Sequence, residues 1–512
     1  MSATPANKTD LGNAERLVAR HGQTIRFVHG IGWHIWDRRR WAPDDTAEIE
    51  RLAKDTIRSI YGEAALQEED KERKALTAHA RASESNGRLK AMIERTRAEA
   101  SVSLRLADLD ADPWALTVQN GIVNLKTGVL GSHDPTAYST KLAPVRYDSA
   151  AQCLRWLAFL DRVFAGDAEL IAFVQRAIGY SITGATSEQV LFLLHGTGHN
   201  GKTTMLEVLR ALLGDYAVHA AFETFLLHRQ GPREDIARLD RARLVTSAEA
   251  GEGHRLDETL VKSITGGDIV VARFLFRGSF EFRPQFKLWL ASNHLPEIRG
   301  TDEAIWRRIR LIPFKVGIPP ADRDPELTDK LRGELPGILR WAIDGARQWQ
   351  TGGLGVPDGV RVATEDYRRD SDVLGTFLDD CCEISAGTQV LATLLYETYA
   401  QWCERTGERP GTQSWFGRRL QERGFEVVKG GRATQGKKVR IGLRLRQETI
   451  GDTSARNSTM PADDRHPANL ARDGENCLQS SPAQSDASIR LRGTTWRMSE
   501  GGAERRDGVA RP

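Results

Sequence analysis

Cysteine is scarce: the 512 residues hold five (Cys153, Cys381, Cys382, Cys403, Cys477), with no C-x-x-C pair and no metal-ligand spacing. That argues against a zinc module or a disulfide scaffold and leaves reduced thiols as the expected state. Long apolar runs are missing too. None approaches the roughly 20 residues of a bilayer span, and the opening MSATPANKTD lacks the apolar segment of a secretory leader. A cytoplasmic protein without membrane contact is expected. Charge of one sign is also not in excess: 72 Lys and Arg stand against 69 Asp and Glu, a formal net charge of +3. Such a balance neither demands nor excludes a polyanionic partner, so any such contact must come from local patches. What is present, 40% hydrophobic and 28% charged residues, is the make-up of a globular protein, and the length suggests about three domains.

Against that background one stretch stands out: Gly196-Thr197-Gly198-His199-Asn200-Gly201-Lys202-Thr203-Thr204. The apolar run Val190 to Leu194 precedes it and Met205 to Leu213 follows with helical character, so it joins a buried strand to a helix. In that setting G-x-x-x-x-G-K-[ST] is a phosphate-binding loop. Its glycines let backbone N–H groups turn toward an anion, and the helix N-terminus adds partial positive charge. Lys202 reaches the outer phosphates, and the Thr203 hydroxyl is a magnesium ligand.

Residues 1–150 mix an aromatic segment, Trp33 to Trp41, with a charged helical stretch from Glu48 to Ala100, and read as an α-rich domain. Near its end Val118 to Leu125 forms a candidate hairpin, with turns at Asn120-Gly121 and Thr127-Gly128. Helical spacing runs from Trp156 to Gly184. Strand candidates at Ala242 to Ser247, Ile269 to Phe276 and Phe286 to Ala291 then alternate with helices or turns, so residues 151–350 are expected to form an α/β core. Ile338 to Gln350 reads as a helix and Gly352 to Pro357 as a linker. In 373–446 three helices (Phe377 to Cys382, Leu391 to Glu404, Ser414 to Arg423) precede a hairpin at Phe425 to Leu445, the order of a winged helix. Aliphatics thin out from Gln447, and 447–512 is expected to be a disordered tail.

A P-loop nucleotidase needs an acid at the end of a second strand, to hold magnesium through water and polarise the attacking water. The strand ending at Ala248 is followed by Glu249, with Glu252 as a possible helper. A further strand ends in Ser292-Asn293-His294. An amide there can contact both the γ-phosphate and the attacking water, which makes Asn293 the sensor candidate; its plain alternative is an Asx turn before Pro296. Next comes Asp302 to Ile309, containing Arg307 and Arg308. A guanidinium offered to a neighbouring subunit's γ-phosphate makes hydrolysis depend on assembly, and either arginine suits that role; the bland reading is a surface salt bridge to Asp302 or Glu303.

Taken in order, GTGHNGKTT, LVTSAEAGEG, VKSITGGDIVVARFLFRGSFEFRPQFKLWLASNHLPEI and DEAIWRRIRLIPF resemble the superfamily 3 helicases, and within them the phage and plasmid primase/helicase family. The resemblance covers about Arg26 to Leu445. It implies an AAA+-like P-loop ATPase core, ATP and Mg2+ as cofactors, a homo-hexameric ring, and single-stranded and duplex DNA as partners in a bacterial host cell. Rings of this family place a hairpin in a central channel; here it would run through Ile269 to Phe276 and Phe280 to Phe286. Arg273, Arg277, Arg283 and Lys287 become candidate phosphate contacts, while strand alternation favours packing roles for Phe274, Phe276, Phe280 and Phe282. The winged-helix candidate adds Arg418, Arg419 and Arg423, with Lys429, Arg432, Lys437, Lys438 and Arg440 in the wing.

Two features depart from the family. Many members show two adjacent acids where this chain has Ala248-Glu249, and no primase-like domain or zinc-ligand cysteine set precedes Arg26. Primer synthesis is therefore not expected here; a separate primase is one possible partner, on which the sequence itself is silent. ATP-dependent DNA unwinding in phage- or plasmid-type replication is the expected activity. A DNA-stimulated ATPase that separates no strands, and an origin-binding regulator, are the alternatives.

Overall fold

The computed structural model describes residues 7–227, 234–248, 254–273, 279–298, 302–431 and 434–446. Glu249, Glu252, Phe274, Phe276, Arg277, Arg432, Cys477 and the tail 447–512 lie outside the described residues.

A five-stranded sheet forms the centre. Its spatial order is Ile309–Pro313, Leu191–His195, Lys287–Ser292, Leu244–Ala248, Ala217–His219, and every neighbouring pair is parallel. Parallel strands are covered on both faces and so read as continuous apolar runs. Phe192 and Leu194 accordingly enter one buried cluster with Trp289 and Ile312, while Leu191 and Leu193 enter another with Leu288, Leu290 and Leu311. The helix Lys202–Leu213 and the helices Leu154–Val163, Ala168–Ser181 and Leu335–Gly352 supply the first cluster. Ala168–Ser181 and Leu335–Gly352 cross so closely that a Cβ on Gly179 would lie 2.1 Å from the Ala346 nitrogen. On the second face lie the helix Glu258–Gly266 and an antiparallel hairpin of Val270–Arg273 with Ser279–Phe282.

The first hundred residues have their own core. Helices Asp10–His21, Glu48–Ala65, Asp70–Ser83 and Asn86–Thr96 pack Leu17, Ile57, Ile60 and Met92 against a sheet ordered Trp41–Pro43, Gly32–Trp36, Ile25–Val28, Ser103–Leu104. Four helices thus dominate this region, beside a small sheet of short strands. The meander Ala115–Val118, Gly121–Asn124, Val129–Gly131 turns where Asn-Gly and Thr-Gly stand, but Leu116, Val118, Val123 and Leu125 belong to the cluster under the central sheet.

At the other end three helices, Val373–Cys381, Ala392–Thr406 and Gln413–Glu422, gather Phe377, Tyr399, Trp402 and Phe416 into one aromatic core. A three-stranded antiparallel sheet lies beside them, in the order Cys382–Leu391, Lys438–Leu445, Val427–Lys429. Among the described residues no helix is long and apolar enough to cross a membrane.

Candidate nucleotide site

The loop between Leu191–His195 and Lys202–Leu213 is built around two glycines that tolerate nothing larger. A Cβ at Gly196 would sit 2.2 Å from the Phe314 carbonyl oxygen, and one at Gly201, whose φ is +91°, would sit 2.8 Å from Val163 Cγ1. The loop is clamped from inside. Buried Asn200 donates from Nδ2 to the carbonyls of Thr197 (2.6 Å) and Phe314 (3.2 Å). The His199 carbonyl, at a residue with φ +59°, accepts from Ile318 N at 2.9 Å. Asn200 thus braces the loop, together with the Phe314 and Ile318 backbone.

The helix that follows is unlike the other long helices capped by Asp167, Asp257 or Thr412. Gly201 stands at its N-cap and no side chain bonds its first N–H groups. Backbone donors and the positive end of a twelve-residue helix dipole thus converge at the loop. The Thr203 side chain is exposed beside them.

Lys202 is buried and satisfied by three oxygens: the Gly196 carbonyl (2.6 Å), Asn200 Oδ1 (3.0 Å) and Asn293 Oδ1 (3.0 Å). Burial pulls its pKa below the ordinary lysine value. Asn293 reaches it because the strand Lys287–Ser292 lies directly beside the P-loop strand, with Ser292 opposite His195. On the far side of that strand, Ala248 pairs with Ala291, so the acidic strand ends at the same edge of the sheet, one residue before Glu249. Sequence reasoning overlooked His195. It is half-buried at the end of the P-loop strand, bonded to the Asn293 backbone, and its pKa is lowered chiefly by burial. No four-residue pattern would have marked it.

Arg307 and Arg308 diverge. Arg307 is exposed, whereas Arg308 is buried, with Nε donating to Thr265 Oγ1 (3.1 Å) and Nη1 to the Ala304 carbonyl (2.5 Å). The salt bridge expected of an arginine is made instead by Lys262, whose Nζ lies 2.6 Å from Asp302 Oδ2.

Lys287 corrects the reading of it as a DNA contact. Its side chain is 1% exposed and its ammonium donates to the carbonyls of Thr183, Ala185 (3.1 Å) and Gln285 (3.1 Å), under the Tyr180 ring. It opens a central strand, and a lysine there points into the body of the protein; burial holds its pKa well below the usual value. Arg273 and Arg283 are exposed on the hairpin, and Phe282 is buried beneath it. In the C-terminal unit Arg418, Lys429, Lys437 and Lys438 are exposed, while Arg419 pairs with Glu422 at 2.8 Å and Arg423 with Asp372. Arg440, expected in the wing surface, is buried and donates to the carbonyls of Phe425 (2.7 Å) and Gly417 (2.6 Å). Cys153, Cys381, Cys382 and Cys403 are buried and form no disulfide among the described residues, where no cluster of three or more potential metal ligands occurs either.

Three families match along the chain: D5 N terminal like over residues 14–165, a family of unknown function (DUF5906) over 194–308, and poxvirus D5 protein-like over 369–437. Among curated proteins, one named "Putative helicase" from Acanthamoeba polyphaga mimivirus is 24% identical over 335 residues, covering 60% of this chain and 35% of its own length. Another of that name from Frog virus 3 (isolate Goorha) is 27% identical over 304 residues, covering 55% and 30%. A third, from Invertebrate iridescent virus 3, is 25% identical over 308 residues, covering 53% and 33%. The aligned part of this chain thus spans about a third of the length of these relatives. An apo structure of the NrS-1 C-terminal region is 12% identical with a TM-score of 0.44, covering 86% of this chain and 100% of that one.

Proposed function

We infer that this chain, which is related to the D5-like superfamily 3 helicases, is a ring-forming, ATP-fuelled motor that separates DNA strands in the replication of a phage- or plasmid-type genome. The observation that carries this reading is the meeting of Lys202 and Asn293 over the phosphate loop, 3.0 Å apart. The donor set fits a triphosphate: an uncapped helix start, two glycines with no room for a side chain, and a lysine already stripped of most of its water. Thr203 would hold Mg2+ directly and Glu249 through water, and the ion would neutralise charge building on the phosphates.

In this reading, phosphate oxygens take over the protons that Lys202 now gives to Gly196, Asn200 and Asn293. Asn293, released, orients the attacking water against the γ-phosphate, and Glu249 accepts its proton. Exposed Arg307 is the residue offered to the neighbouring subunit, so that hydrolysis waits for assembly into a homo-hexamer. Arg308 holds the end of the helix Glu258–Gly266 from which the hairpin departs. The hairpin carries Arg273, Arg277 and Arg283 against a DNA backbone, which lets each hydrolysis step move the strand without reading its sequence. The C-terminal unit acts as a winged helix gripping duplex through Arg418, Lys429, Lys437 and Lys438.

The test is unwinding of a forked duplex with ATP and Mg2+ by the wild type beside Lys202→Ala. Displacement by the wild type alone is the expected result. Equal activity of the two, or DNA-stimulated hydrolysis with no displacement, overturns strand separation as the function.

A further inference from the structure

Outside the nucleotide site, one turn in the first hundred residues is built against its own local preference. The strands Gly32–Trp36 and Trp41–Pro43 pair Trp36 with Trp41, and Asp37 N donates to the Arg40 carbonyl at 3.0 Å, so Arg38 and Arg39 form a two-residue hairpin loop. Arg38 has φ +73°. Glycine or asparagine normally fills that position, because a Cβ is strained there. Here the position holds an arginine, and a second arginine follows it.

The surroundings keep this tip rigid and positively charged. Asp37, the acid nearest in sequence, is exposed but engaged at the base of the turn: its Oδ1 accepts from the backbone N–H groups of Arg39 and Arg40, both at 2.8 Å. Arg40 ties the turn down, with Nε 3.6 Å from Asp37 Oδ2 and Nη1 donating to the Thr140 carbonyl (3.2 Å) and pairing with Asp215, just beyond the end of the P-loop helix. Trp41 is buried under the turn, tied by Nε1 to the Pro135 carbonyl at 2.8 Å. Arg38 and Arg39 are exposed, and neither side chain meets a carboxylate among the described residues. A glycine would relieve the strain at Arg38 at no cost in packing, so turn geometry alone does not account for two exposed cations at this tip.

We propose that the Arg38-Arg39 turn is a phosphodiester-binding tip that contacts the backbone of a DNA strand. Two guanidinia on a stiff loop suit phosphate oxygens and carry no means of reading bases. The Arg40–Asp215 pair anchors the tip to the chain that leaves the P-loop helix. This rests on the DNA-motor reading above.

The experiment uses the full chain with Arg38→Gly and Arg39→Ser together, exchanges that suit the turn better than the native residues. Melting temperature should stay level or rise, and hydrolysis without DNA should be unchanged. Affinity for a fluorescent oligo-dT at low salt should fall about tenfold, with the plot of log Kd against log salt shallower by about 1.4 for two lost contacts. If the wild type hydrolyses ATP and binds the oligonucleotide, and the variant matches it in affinity and slope, this proposal alone is overturned. Absence of salt-dependent binding by the wild type overturns this proposal together with the motor reading.

Discussion

Asn293 Oδ1 accepts a hydrogen bond from the Lys202 ammonium at 3.0 Å, across 91 positions of chain. The contact exists because the sensor strand lies beside the P-loop strand and the acidic strand beyond it. In the proposed function the lysine that binds phosphate is the one now held by this amide oxygen, so filling of the site would free Asn293.

Removing either partner should therefore have different consequences. Lys202→Ala is expected to weaken nucleotide binding and lower hydrolysis about a hundredfold or more. Asn293→Ala should leave nucleotide affinity within a few-fold while lowering the hydrolysis rate about a hundredfold, because only water positioning is lost. Equilibrium binding of a fluorescent nucleotide beside steady-state phosphate release separates the two. Hydrolysis at the wild-type rate by Asn293→Ala would remove the sensor role.

The adjacent arginines are expected to part in the same way. Arg307→Ala should leave the melting temperature unchanged and reduce DNA-stimulated hydrolysis about a thousandfold, as loss of a residue acting across subunits does. Arg308→Ala should destabilise the fold by about 1–2 kcal/mol, because Thr265 and the Ala304 carbonyl lose their donor. Calorimetry of the two variants decides; a larger melting shift for Arg307→Ala contradicts the assignment.

Much of this site was legible before any coordinates. The strand–loop–helix around Gly196 to Lys202, the place of Asn293 just past a strand end and the helix Leu335–Gly352 followed from glycine placement and apolar spacing, which are local signals. What escaped depends on distant chain. Cys382–Leu391 is a strand only because Lys438–Leu445 pairs with it; its side chains from Glu383 to Gln389 are mostly exposed and show no clean alternation. Ile309–Pro313 is a strand because it borders Leu191–His195, yet its five residues carry an arginine and end in proline. Lys287 misled for a related reason. A lysine among interleaved aromatics looks like a nucleic-acid contact until three carbonyls, two of them about a hundred residues away, are seen around it.

Lys287 gives a prediction with a defined pH dependence. Lys287→Met should leave the salt dependence of DNA binding unaltered and lower stability at neutral pH by about 1–3 kcal/mol, since the Thr183, Ala185 and Gln285 carbonyls lose their donor. Burial depresses the lysine's folded-state pKa, so between that value and about 10.4 the unfolded chain binds the extra proton. Wild-type stability from this group accordingly rises with pH across that window and is lost as pH falls through it. The stability gap over Lys287→Met should widen from neutral toward about pH 10. Denaturant titrations at several pH values measure it, and a gap that narrows with rising pH would show the lysine to be held in its charged form.

The helix crossing under the sheet sets a last constraint, this time steric. Gly179 on Ala168–Ser181 faces Leu335–Gly352 so tightly that a methyl group would lie 2.1 Å from Ala346 N and 2.3 Å from the Gly345 carbonyl carbon. Gly345 in turn would place its Cβ 2.2 Å from the Gln175 carbonyl oxygen. In each case the obstruction is backbone, which cannot swing aside as a side chain would, so the helices must separate. Helix propensity alone would favour alanine at either position by about 1 kcal/mol. Overpacking should outweigh that gain and leave Gly179→Ala destabilised by about 1–3 kcal/mol. The same change should slow hydrolysis, because Ala168–Ser181 also carries Ser181, whose hydroxyl accepts from Trp289 Nε1 at 2.9 Å in the sensor strand. Chemical denaturation and phosphate release, run on Gly179→Ala and on exposed Gly62→Ala as a control, test both effects. A Gly179→Ala protein as stable as the control would mean that the two helices do not pack this closely.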